Sequence, residues 1–254
     1  MAKVQVALQM YTVRDVSAQD FVGALRQVAE IGYPAIELAG TGGLSATELG
    51  KVLRDLNLEV WGTHCGFDQL LNNLQELIDY NKEIGNKYLI CPGLPRERSA
   101  DSKAFRETAV LYNEIGAKAR EQGMHVGHHN HDREFTNPGG KAGMEILIED
   151  TDPAHFGAEL DVFWAAYAGV DPAAFIRKYP GRFPLLHIKD MLAGEERKFA
   201  EIGNGIIDFP AIFDAAESVG GTQCYIVEQD NTYDRSSMES VRISLENLKR
   251  WGKV

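Results

Sequence analysis

A repeated alternation of short strand-like segments with longer helical patterns constrains the fold of this chain more than any other feature. Apolar, often β-branched runs are followed eight times by amphipathic stretches, several of which end at a glycine. The predicted strands cover residues 4–10, 35–38, 58–63, 87–91, 124–126, 155–160, 185–188 and 223–227. The predicted helices cover residues 18–31, 47–56, 68–84, 101–122, 141–149, 171–179, 209–219 and 237–250.

The number and spacing of these units predict the architecture. Eight strand–helix units in 254 residues give a mean period of about 32 residues, and no linker separates them. Regular alternation favours a parallel sheet, and eight such units favour an α/β protein with a closed (β/α)8 barrel, in one domain over residues 1–254. A doubly wound open sheet is the alternative, but it normally carries a glycine-rich turn after the first strand, which this sequence lacks.

Composition and charge narrow the classes of partner. Hydrophobic residues make up 44% of the chain, enough for a sizeable core, and the net charge of −11 disfavours nucleic acid and anionic membrane surfaces. The cysteines Cys65, Cys91 and Cys224 are odd in number and lack CxxC spacing, which predicts free thiols in a reducing compartment. The sequence starts without the apolar run of a signal peptide and has no run of membrane-spanning length, so we expect a cytoplasmic protein.

The densest group of chemically active side chains follows the fifth predicted strand, in the run Gly127-His128-His129-Asn130-His131-Asp132-Arg133-Glu134-Phe135. Because successive side chains of a strand point to opposite faces, His129 and His131 share one face, and His128 and Asn130 share the other. Two imidazoles on one face with a carboxylate nearby are typical of a metal or catalytic site. A solvated polar loop with chance histidines is the alternative interpretation.

Polar side chains follow most of the predicted strands, including the fifth, at the point where each strand ends. These residues are Glu37, His64, His129, His131, Glu134, Asp161, His187, Lys189, Asp190, Glu228 and Asp230. In a (β/α)8 barrel the carboxyl ends of the strands meet at one face, and the chemistry of such proteins is found there. Nearly all candidate ligands in the sequence are therefore predicted to converge on one cleft.

Three carboxylates and an imidazole in one cleft cannot all stay charged and unpaired, because like charges raise one another's pKa. A bound divalent cation removes this difficulty. We predict Glu134, Asp161, His187 and Glu228 as the ligands of one divalent metal ion. Mixed oxygen and nitrogen donors suit Mn²⁺, Mg²⁺, Co²⁺ or Zn²⁺, of which Mn²⁺ is the ion we expect.

Some of these assignments have alternatives in the sequence itself. Asp161 is also well placed to cap a helix, and His187, between two apolar neighbours, also fits a hydrogen-bonded core histidine. The ligand from the fifth strand is open between Glu134 and either His128 or His131.

Longer motifs add a family resemblance. They are Leu8-Gln9-Met10-Tyr11-Thr12-Val13-Arg14-Asp15, His129-Asn130-His131-Asp132-Arg133-Glu134-Phe135, Glu159-Leu160-Asp161-Val162-Phe163-Trp164, His187-Ile188-Lys189-Asp190-Met191, Gly203-Asn204-Gly205-Ile206-Ile207-Asp208-Phe209 and Val227-Glu228-Gln229-Asp230. In these motifs the chain resembles the xylose isomerase-like TIM barrels called sugar phosphate isomerases/epimerases, which include D-tagatose 3-epimerase, hydroxypyruvate isomerase and inosose dehydratase. The resemblance covers almost the whole chain and is specific for the superfamily rather than for a substrate.

The resemblance implies a chemistry. In the epimerases of this family a metal is held by a glutamate of the fifth strand, an aspartate of the sixth, a histidine of the seventh and a glutamate of the eighth. A base removes a proton next to the metal-bound carbonyl of a small carbohydrate. Where the epimerases have the fifth-strand glutamate, this sequence has His128. This departure brings the chain closer to the branch with HxH strands, which includes inosose dehydratase.

The same resemblance suggests roles for individual side chains. We expect catalytic roles, as acid, base or helper near the developing negative oxygen, for Glu228, His131, His129 and Lys189. We expect contacts to sugar hydroxyls or a phosphate from Glu37, His64 and Arg14. As alternatives, Lys189 pairs with Asp190 or Glu228, and Arg14 is an ordinary surface cation.

Four functions are compatible with these residues, in decreasing order of expectation. The first is a metal-dependent isomerase or epimerase of a small keto sugar or sugar phosphate, and the second is a dehydratase or lyase acting on a keto sugar or inosose. An endonuclease IV-like hydrolase of abasic DNA is remote, because the net charge is −11. A sugar-binding barrel without catalysis is the last. The aromatic residues Phe163, Trp164 and Tyr167 fit a core role best, and the sequence leaves open whether they form a homo-oligomer contact.

Overall fold

The computed structural model describes residues 3–136 and 140–254, and its strands fall into a barrel and a small hairpin. The strands are β1 (Gln5–Gln9), β2 (Ala35–Leu38), β3 (Glu59–His64), β4 (Tyr88–Cys91), β5 (His125–His129), β6 (Phe156–Asp161), β7 (Leu185–Ile188), β8 (Asp190–Met191), β9 (Phe199–Ala200) and β10 (Cys224–Val227). Eight of them are parallel and close into a barrel in the order β1-β10-β7-β6-β5-β4-β3-β2. This arrangement confirms the predicted single-domain (β/α)8 barrel.

The helices pack outside the barrel. They are α1 (Arg14–Ser17), α2 (Phe21–Ile31), α3 (Ala46–Leu56), α4 (Phe67–Asn72), α5 (Leu74–Glu83), α6 (Ser102–Glu121), α7 (Gly143–Glu149), α8 (Val162–Tyr167), α9 (Pro172–Lys178), α10 (Phe209–Ala215) and α11 (Ser237–Arg250). Their apolar faces and the outward side chains of the strands form the larger of two hydrophobic clusters. Burial of this apolar surface is the main stabilising term for such an architecture.

Local capping explains where the structure departs from the predicted helix boundaries. Asp20 accepts a hydrogen bond from the Gly23 backbone N–H, so α2 begins at Phe21, and the residues before it form the separate helix α1. The predicted helix 68–84 is two helices, α4 and α5, because the backbone at Asn73 leaves the helical region. The predicted helix 209–219 ends as α10 and continues as a π-helical turn, Ala216–Gly220.

The hairpin after β7 is not indicated by any sequence pattern. Its strands, β8 and β9, pair antiparallel and are too short for a periodicity signal. Asp190 organises the loop after the hairpin, because its carboxylate accepts hydrogen bonds from the backbone N–H groups of Met191, Gly203, Gly205 and Ile207.

A second, smaller hydrophobic cluster fills the lower part of the barrel interior and positions the polar layer above it. It contains Ala7, Ala35 and Ile226, which lie opposite one another in the strand register, and Leu185, which lies opposite Cys224 of the same cluster. Side chains two residues further along a strand point to the same face. The next inward side chains on these four strands are therefore Gln9, Glu37, His187 and Glu228.

The state of the cysteines agrees with the predicted free thiols. Cys65, Cys91 and Cys224 are free and buried. Among the described residues no helix is both long enough and apolar enough to cross a membrane.

Gly116 provides a test of how tightly α6 packs against the chain that leads into β6. A Cβ at this position would collide with the backbone carbonyl of His155. Alanine usually stabilises a helix interior relative to glycine by about 0.5–1 kcal/mol. We expect Gly116→Ala to do the opposite and lower the free energy of unfolding by about 1–3 kcal/mol, since the backbone cannot move away easily.

Urea denaturation of the two proteins measures this difference. Val110→Ala is the matched control, because Val110 lies on the same helix with 57% of its surface exposed, and its change should stay within about 0.5 kcal/mol. A Gly116→Ala protein as stable as the unaltered one would mean that α6 and the approach to β6 are not in close contact.

Candidate functional site

The barrel mouth brings together side chains from four strand ends. One nitrogen or oxygen atom from each of His129, Asp161, His187 and Glu228 lies within 4.8 Å of the other three. All four residues are buried. Three of the four are predicted metal ligands, and the fourth, from β5, is His129 in place of Glu134.

His187 stands at the centre of this group and is held from both sides. Its Nδ1 lies 2.8 Å from Glu228 Oε2, and its Nε2 lies 2.6 Å from Glu37 Oε2. Burial alone would lower the pKa of His187, but Glu159, Glu228 and Glu37 outweigh it and raise the pKa well above its usual value. The ring is buried like a core histidine, yet its neighbours are carboxylates rather than apolar groups.

The two carboxylate oxygens of Asp161 have different surroundings: one caps a helix, and the other lies in the cluster. Oδ1 accepts a hydrogen bond from the Trp164 backbone N–H at 3.0 Å and so caps α8. Oδ2 is buried and has no hydrogen-bond partner among the described residues, although it lies 3.0 Å from Lys189 Nζ. Burial raises the pKa of this carboxyl to about 6. The capping role suggested by the sequence is therefore present, and it leaves Oδ2 available for the predicted role as a ligand.

Lys189 is a fully buried cation among three carboxylates. Its Nζ lies 2.5 Å from Glu228 Oε2, 2.9 Å from Asp230 Oδ2 and 3.0 Å from Asp161 Oδ2. Burial opposes the charge on this ammonium group, but the carboxylates outweigh the burial and raise the pKa of Lys189 above its usual value. The lysine therefore pairs with Glu228, one of its two predicted alternatives, whereas Asp190 is occupied by backbone N–H groups.

A second layer lies deeper in the barrel. Glu37 is fully buried, and its Oε2 accepts a hydrogen bond from Gln9 Nε2 at 2.7 Å. The glycine at position 62 of β3 makes room for this carboxylate, because a Cβ there would collide with it. His64, whose side chain is 11% exposed, places Nε2 at 3.3 Å from Glu37 Oε2 and at 3.1 Å from Glu159 Oε2.

Glu159 is a site residue that is not among those predicted from the sequence. It is fully buried on β6, two residues before Asp161 and therefore on the same face of the strand. Burial and the neighbouring Glu37 raise the pKa of its carboxyl. The period of two, applied backwards from Asp161, is the signal that would have found it.

Glu134 and His128 lie outside the group of ligand atoms. The Glu134 carboxylate accepts hydrogen bonds from the backbone N–H of His131 at 2.8 Å and from Arg133 Nε at 2.9 Å, and so caps the 3-10 helix Asp132–Phe135. His128 faces outward, where its Nδ1 lies 3.0 Å from the hydroxyl of Tyr112. Among the described residues, the group of ligand atoms therefore contains His129 from β5 and not the predicted ligand Glu134, whose carboxylate is used in this cap.

His131 lies above this group at the end of the same strand. Its ring centroid is 5.0 Å from that of His129 and 5.5 Å from that of Trp164. The side chain is partly buried, and Nδ1 has no hydrogen-bond partner in the part of the chain that the structure describes. Burial and the nearby Lys189 lower the pKa of His131, which favours the neutral imidazole.

Arg14 lies at the rim rather than in the group. Its guanidinium donates hydrogen bonds to the carbonyls of Tyr11 at 2.9 Å and Asp230 at 2.7 Å, and its Cζ lies 4.2 Å from the centroid of the Tyr11 ring. It borders a polar cleft of about 390 Å³ that also includes Asp230. The arginine is exposed, so the structure leaves both predicted alternatives, a phosphate contact and a surface cation, in place.

The group of ligand atoms fits a divalent cation. It combines two imidazoles with two carboxylates, a mixture that suits Mn²⁺, Zn²⁺ and similar ions. Buried polar atoms normally have hydrogen-bond partners, but Asp161 Oδ2 has none among the described residues. The cluster is therefore able to hold a metal ion.

The chain is similar to a known protein family and to solved structures. The family model described as xylose isomerase-like TIM barrel matches residues 25–251. A solved structure of a sugar phosphate isomerase/epimerase from Parabacteroides distasonis ATCC 8503 is similar, with 26% identity, a TM-score of 0.83, and coverage of 100% of this chain and 96% of that chain.

Curated relatives with similar sequences are named inosose dehydratase. The protein of Geobacillus thermodenitrificans (strain NG80-2) is 27% identical over 136 residues, which are 46% of this chain and 44% of that protein. The chain thus spans less than half the length of that relative. The protein of Bacillus thuringiensis (strain Al Hakam) is 22% identical over 246 residues, with 83% of this chain and 82% of that protein covered.

The match over residues 25–251 confirms the resemblance inferred from the sequence motifs, and it agrees with the closed barrel and with the polar cluster at its mouth. The chain belongs to the xylose isomerase-like TIM barrel family.

Proposed function

We propose that the protein is a metal-dependent isomerase or epimerase of a small keto sugar or sugar phosphate. The observation that carries this proposal is the convergence of His129, Asp161, His187 and Glu228 below an imidazole, His131, whose Nδ1 has no hydrogen-bond partner among the described residues. Ligands for a cation and a free base at one barrel mouth are the parts needed to remove a proton next to a carbonyl. The likeness to a sugar phosphate isomerase/epimerase supports the substrate class.

The four converging residues would hold the cation. His129 and His187 would supply nitrogen, and Asp161 and Glu228 would supply oxygen. When bound, the cation would polarise the substrate carbonyl and stabilise the negative charge that develops on its oxygen. Lys189, 2.5 Å from Glu228 and 3.0 Å from Asp161, holds these carboxylates in place and adds a positive charge near that oxygen.

His131 is the residue that we assign as the base. Glu228 is less suited to this role, because Lys189 and His187 already occupy its carboxylate. A neutral imidazole at the mouth can take the proton from the carbon beside the carbonyl and return it to the neighbouring carbon, which isomerises the sugar. Return of a proton to the opposite face of the same carbon would give the epimer. His64, partly exposed at the floor, would contact a sugar hydroxyl.

Replacing His131 tests the assignment of the base. We expect His131→Asn to slow exchange of the substrate's α-proton with solvent deuterium by about 10²–10⁴-fold, the usual contribution of a general base. The measurement is proton NMR of a series of ketoses and inososes in D2O with the Mn²⁺-loaded protein. Sugar binding should be largely retained, because His131 is not assigned to the hydroxyl contacts.

The matched control is His125→Asn, at the other end of the same strand, where the imidazole stacks on Tyr88 with ring centroids 5.0 Å apart. This variant should exchange like the unaltered protein. Equal rates for the His131 and His125 variants would remove His131 from the mechanism, and no exchange with any ketose or inosose would contradict the proposed reaction.

Glu228, which we assign as a metal ligand, and Glu134, which we do not, provide a second test. We expect Glu228→Gln to weaken Mn²⁺ binding by at least about tenfold, because it removes a charged oxygen ligand. Glu134→Gln should leave the Mn²⁺ affinity unchanged, since among the described residues the Glu134 carboxylate contacts its own turn and His128 and does not belong to the group of ligand atoms. Titration calorimetry with Mn²⁺ measures both, and the reverse ranking would restore Glu134 as the ligand.

Dehydration of a keto sugar or inosose is the second candidate function. It is favoured by the relatives named inosose dehydratase, one of which aligns over 83% of this chain. The first step would be the same loss of a proton next to the carbonyl. The hydroxyl on the next carbon would then leave with a proton as water and give a conjugated enone.

An ultraviolet assay separates the two reactions. If the protein is a dehydratase, incubation with an inosose should produce an enone absorbance that does not appear with the His131→Asn variant. Formation of an isomer or epimer without this absorbance would select the isomerase, and enone formation without any epimer would select the dehydratase.

A further inference from the structure

A second group of ligand atoms lies deeper in the barrel than the Asp161 and Glu228 carboxylates. One oxygen of Glu159, Oε2, is surrounded by three imidazole nitrogens. His64 Nε2 and His187 Nε2 each lie 3.1 Å from it, and His129 Nδ1 lies 3.2 Å from it. These four atoms all lie within 4.8 Å of one another.

The spacing of these atoms is that of ligands around a tetrahedral cation. With metal–ligand bonds of about 2.0–2.1 Å, tetrahedral geometry separates neighbouring ligand atoms by about 3.3 Å. The three distances from Glu159 Oε2, between 3.1 and 3.2 Å, are close to this value. In the shallower group, the distances between an imidazole nitrogen and a carboxylate oxygen differ more from one another. They are 3.8 Å for His129 Nε2 to Asp161 Oδ2 and 2.8 Å for His187 Nδ1 to Glu228 Oε2.

The deeper level also contains polar atoms whose hydrogen-bonding capacity is unused. His129 Nδ1, Glu159 Oε1 and Glu37 Oε1 are buried, and none has a hydrogen-bond partner among residues 3–136 and 140–254. Leaving such atoms unsatisfied is unfavourable, because each has lost its hydrogen bonds to water without gaining another partner. A cation between His129 and Glu159 would satisfy the imidazole nitrogen and compensate the carboxylate charge.

The surroundings of His187 support a cation on this side of the ring. Glu228 Oε2 lies 2.8 Å from Nδ1, so this carboxylate can hold a proton on Nδ1 while Nε2, which faces Glu159 Oε2 and Glu37 Oε2, serves as the ligand nitrogen. Metal-binding histidines commonly show this arrangement, in which a carboxylate fixes the tautomer of the ring. Glu37, itself fixed by Gln9, borders the same side at 2.6 Å from Nε2.

We propose that His64, His129, Glu159 and His187 form a second cation site, distinct from the site at Asp161 and Glu228, for a nitrogen-preferring ion such as Zn²⁺ or Co²⁺. Three imidazoles and one carboxylate favour these ions over Mg²⁺ and Mn²⁺, which prefer oxygen. Both sites use His129 and His187, through opposite ring nitrogens. A neutral imidazole offers only one lone pair, so the sites exclude each other and the chain binds one ion at a time.

Metal binding tests this second site without an assay of turnover, and its outcome does not depend on the proposed reaction. X-ray absorption of the Zn²⁺-loaded full chain counts the imidazoles around the ion. The deeper site predicts three imidazoles and one carboxylate, whereas the shallower site would give two of each. A count of two imidazoles would overturn the proposal.

Substitutions specific to each site give an independent measurement. His64 belongs only to the deeper group and Asp161 only to the shallower one. We expect His64→Gln to weaken Co²⁺ binding by at least about tenfold, because a direct ligand is lost, and Asp161→Asn to leave the Co²⁺ affinity close to that of the unaltered protein. Titration of Co²⁺, followed by its visible absorbance, gives both affinities.

Circular dichroism verifies that each variant is folded before the titration. A larger loss for Asp161→Asn than for His64→Gln, equal losses, or no loss in either would each contradict a separate deeper site. If His64→Gln does not fold, the imidazole count in the unaltered protein decides the question alone.

Discussion

The balance of charge inside the barrel is the constraint on which the rest of the site depends. Glu37, Glu159, Asp161 and Glu228 are at most 4% exposed, and four carboxylates in so small a volume would repel one another strongly. Lys189 and the imidazoles supply the opposite charge. Removal of water strengthens each of these attractions, but it also makes any unpaired charge costly. The cluster is therefore stable only as a set, and a cation fits as one further member of that set.

Strand register brings this set of side chains together inside the barrel. The side chains of Ala7, Ala35, Leu185 and Ile226 form an apolar plug, and the residues two positions further along the same strands are polar. The alanines leave space above the plug, and Gly62 leaves space beside Glu37. A shift of one residue in any strand would turn its polar side chain outward, toward the helices. The register that builds the barrel therefore also assembles the site.

Much of this arrangement could be predicted from the sequence, because it depends on local periodicity. Eight strand–helix units predict the barrel, and the barrel predicts that residues at strand ends meet. Asp161, His187 and Glu228 were found in this way, and the structure brings their side chains together.

The hairpin of β8 and β9 was not predicted, since its strands have only two residues each and no period to detect. The ligand from β5 stays a prediction: the converging group contains His129 and not Glu134, and the sequence could not choose between them because both are chemically suitable and the choice depends on the turn after the strand. Glu159 was missed for a related reason, since it lies one layer below the strand end.

Membership of this family restricts the possible reactions less than the geometry of the cluster does. Relatives of this chain are named sugar phosphate isomerase/epimerase and inosose dehydratase. In the mechanism that we propose, these reactions share the loss of a proton next to a carbonyl and differ in the fate of the resulting intermediate. A distinctive feature of this chain is His187, whose two nitrogens face carboxylates at two levels, Glu228 above and Glu37 below. Because one imidazole can bind a cation through only one nitrogen while the other carries a proton, the tautomer of His187 determines the level at which a cation binds. In the two sites that we propose, the tautomer of this single histidine and the identity of the bound ion therefore depend on each other.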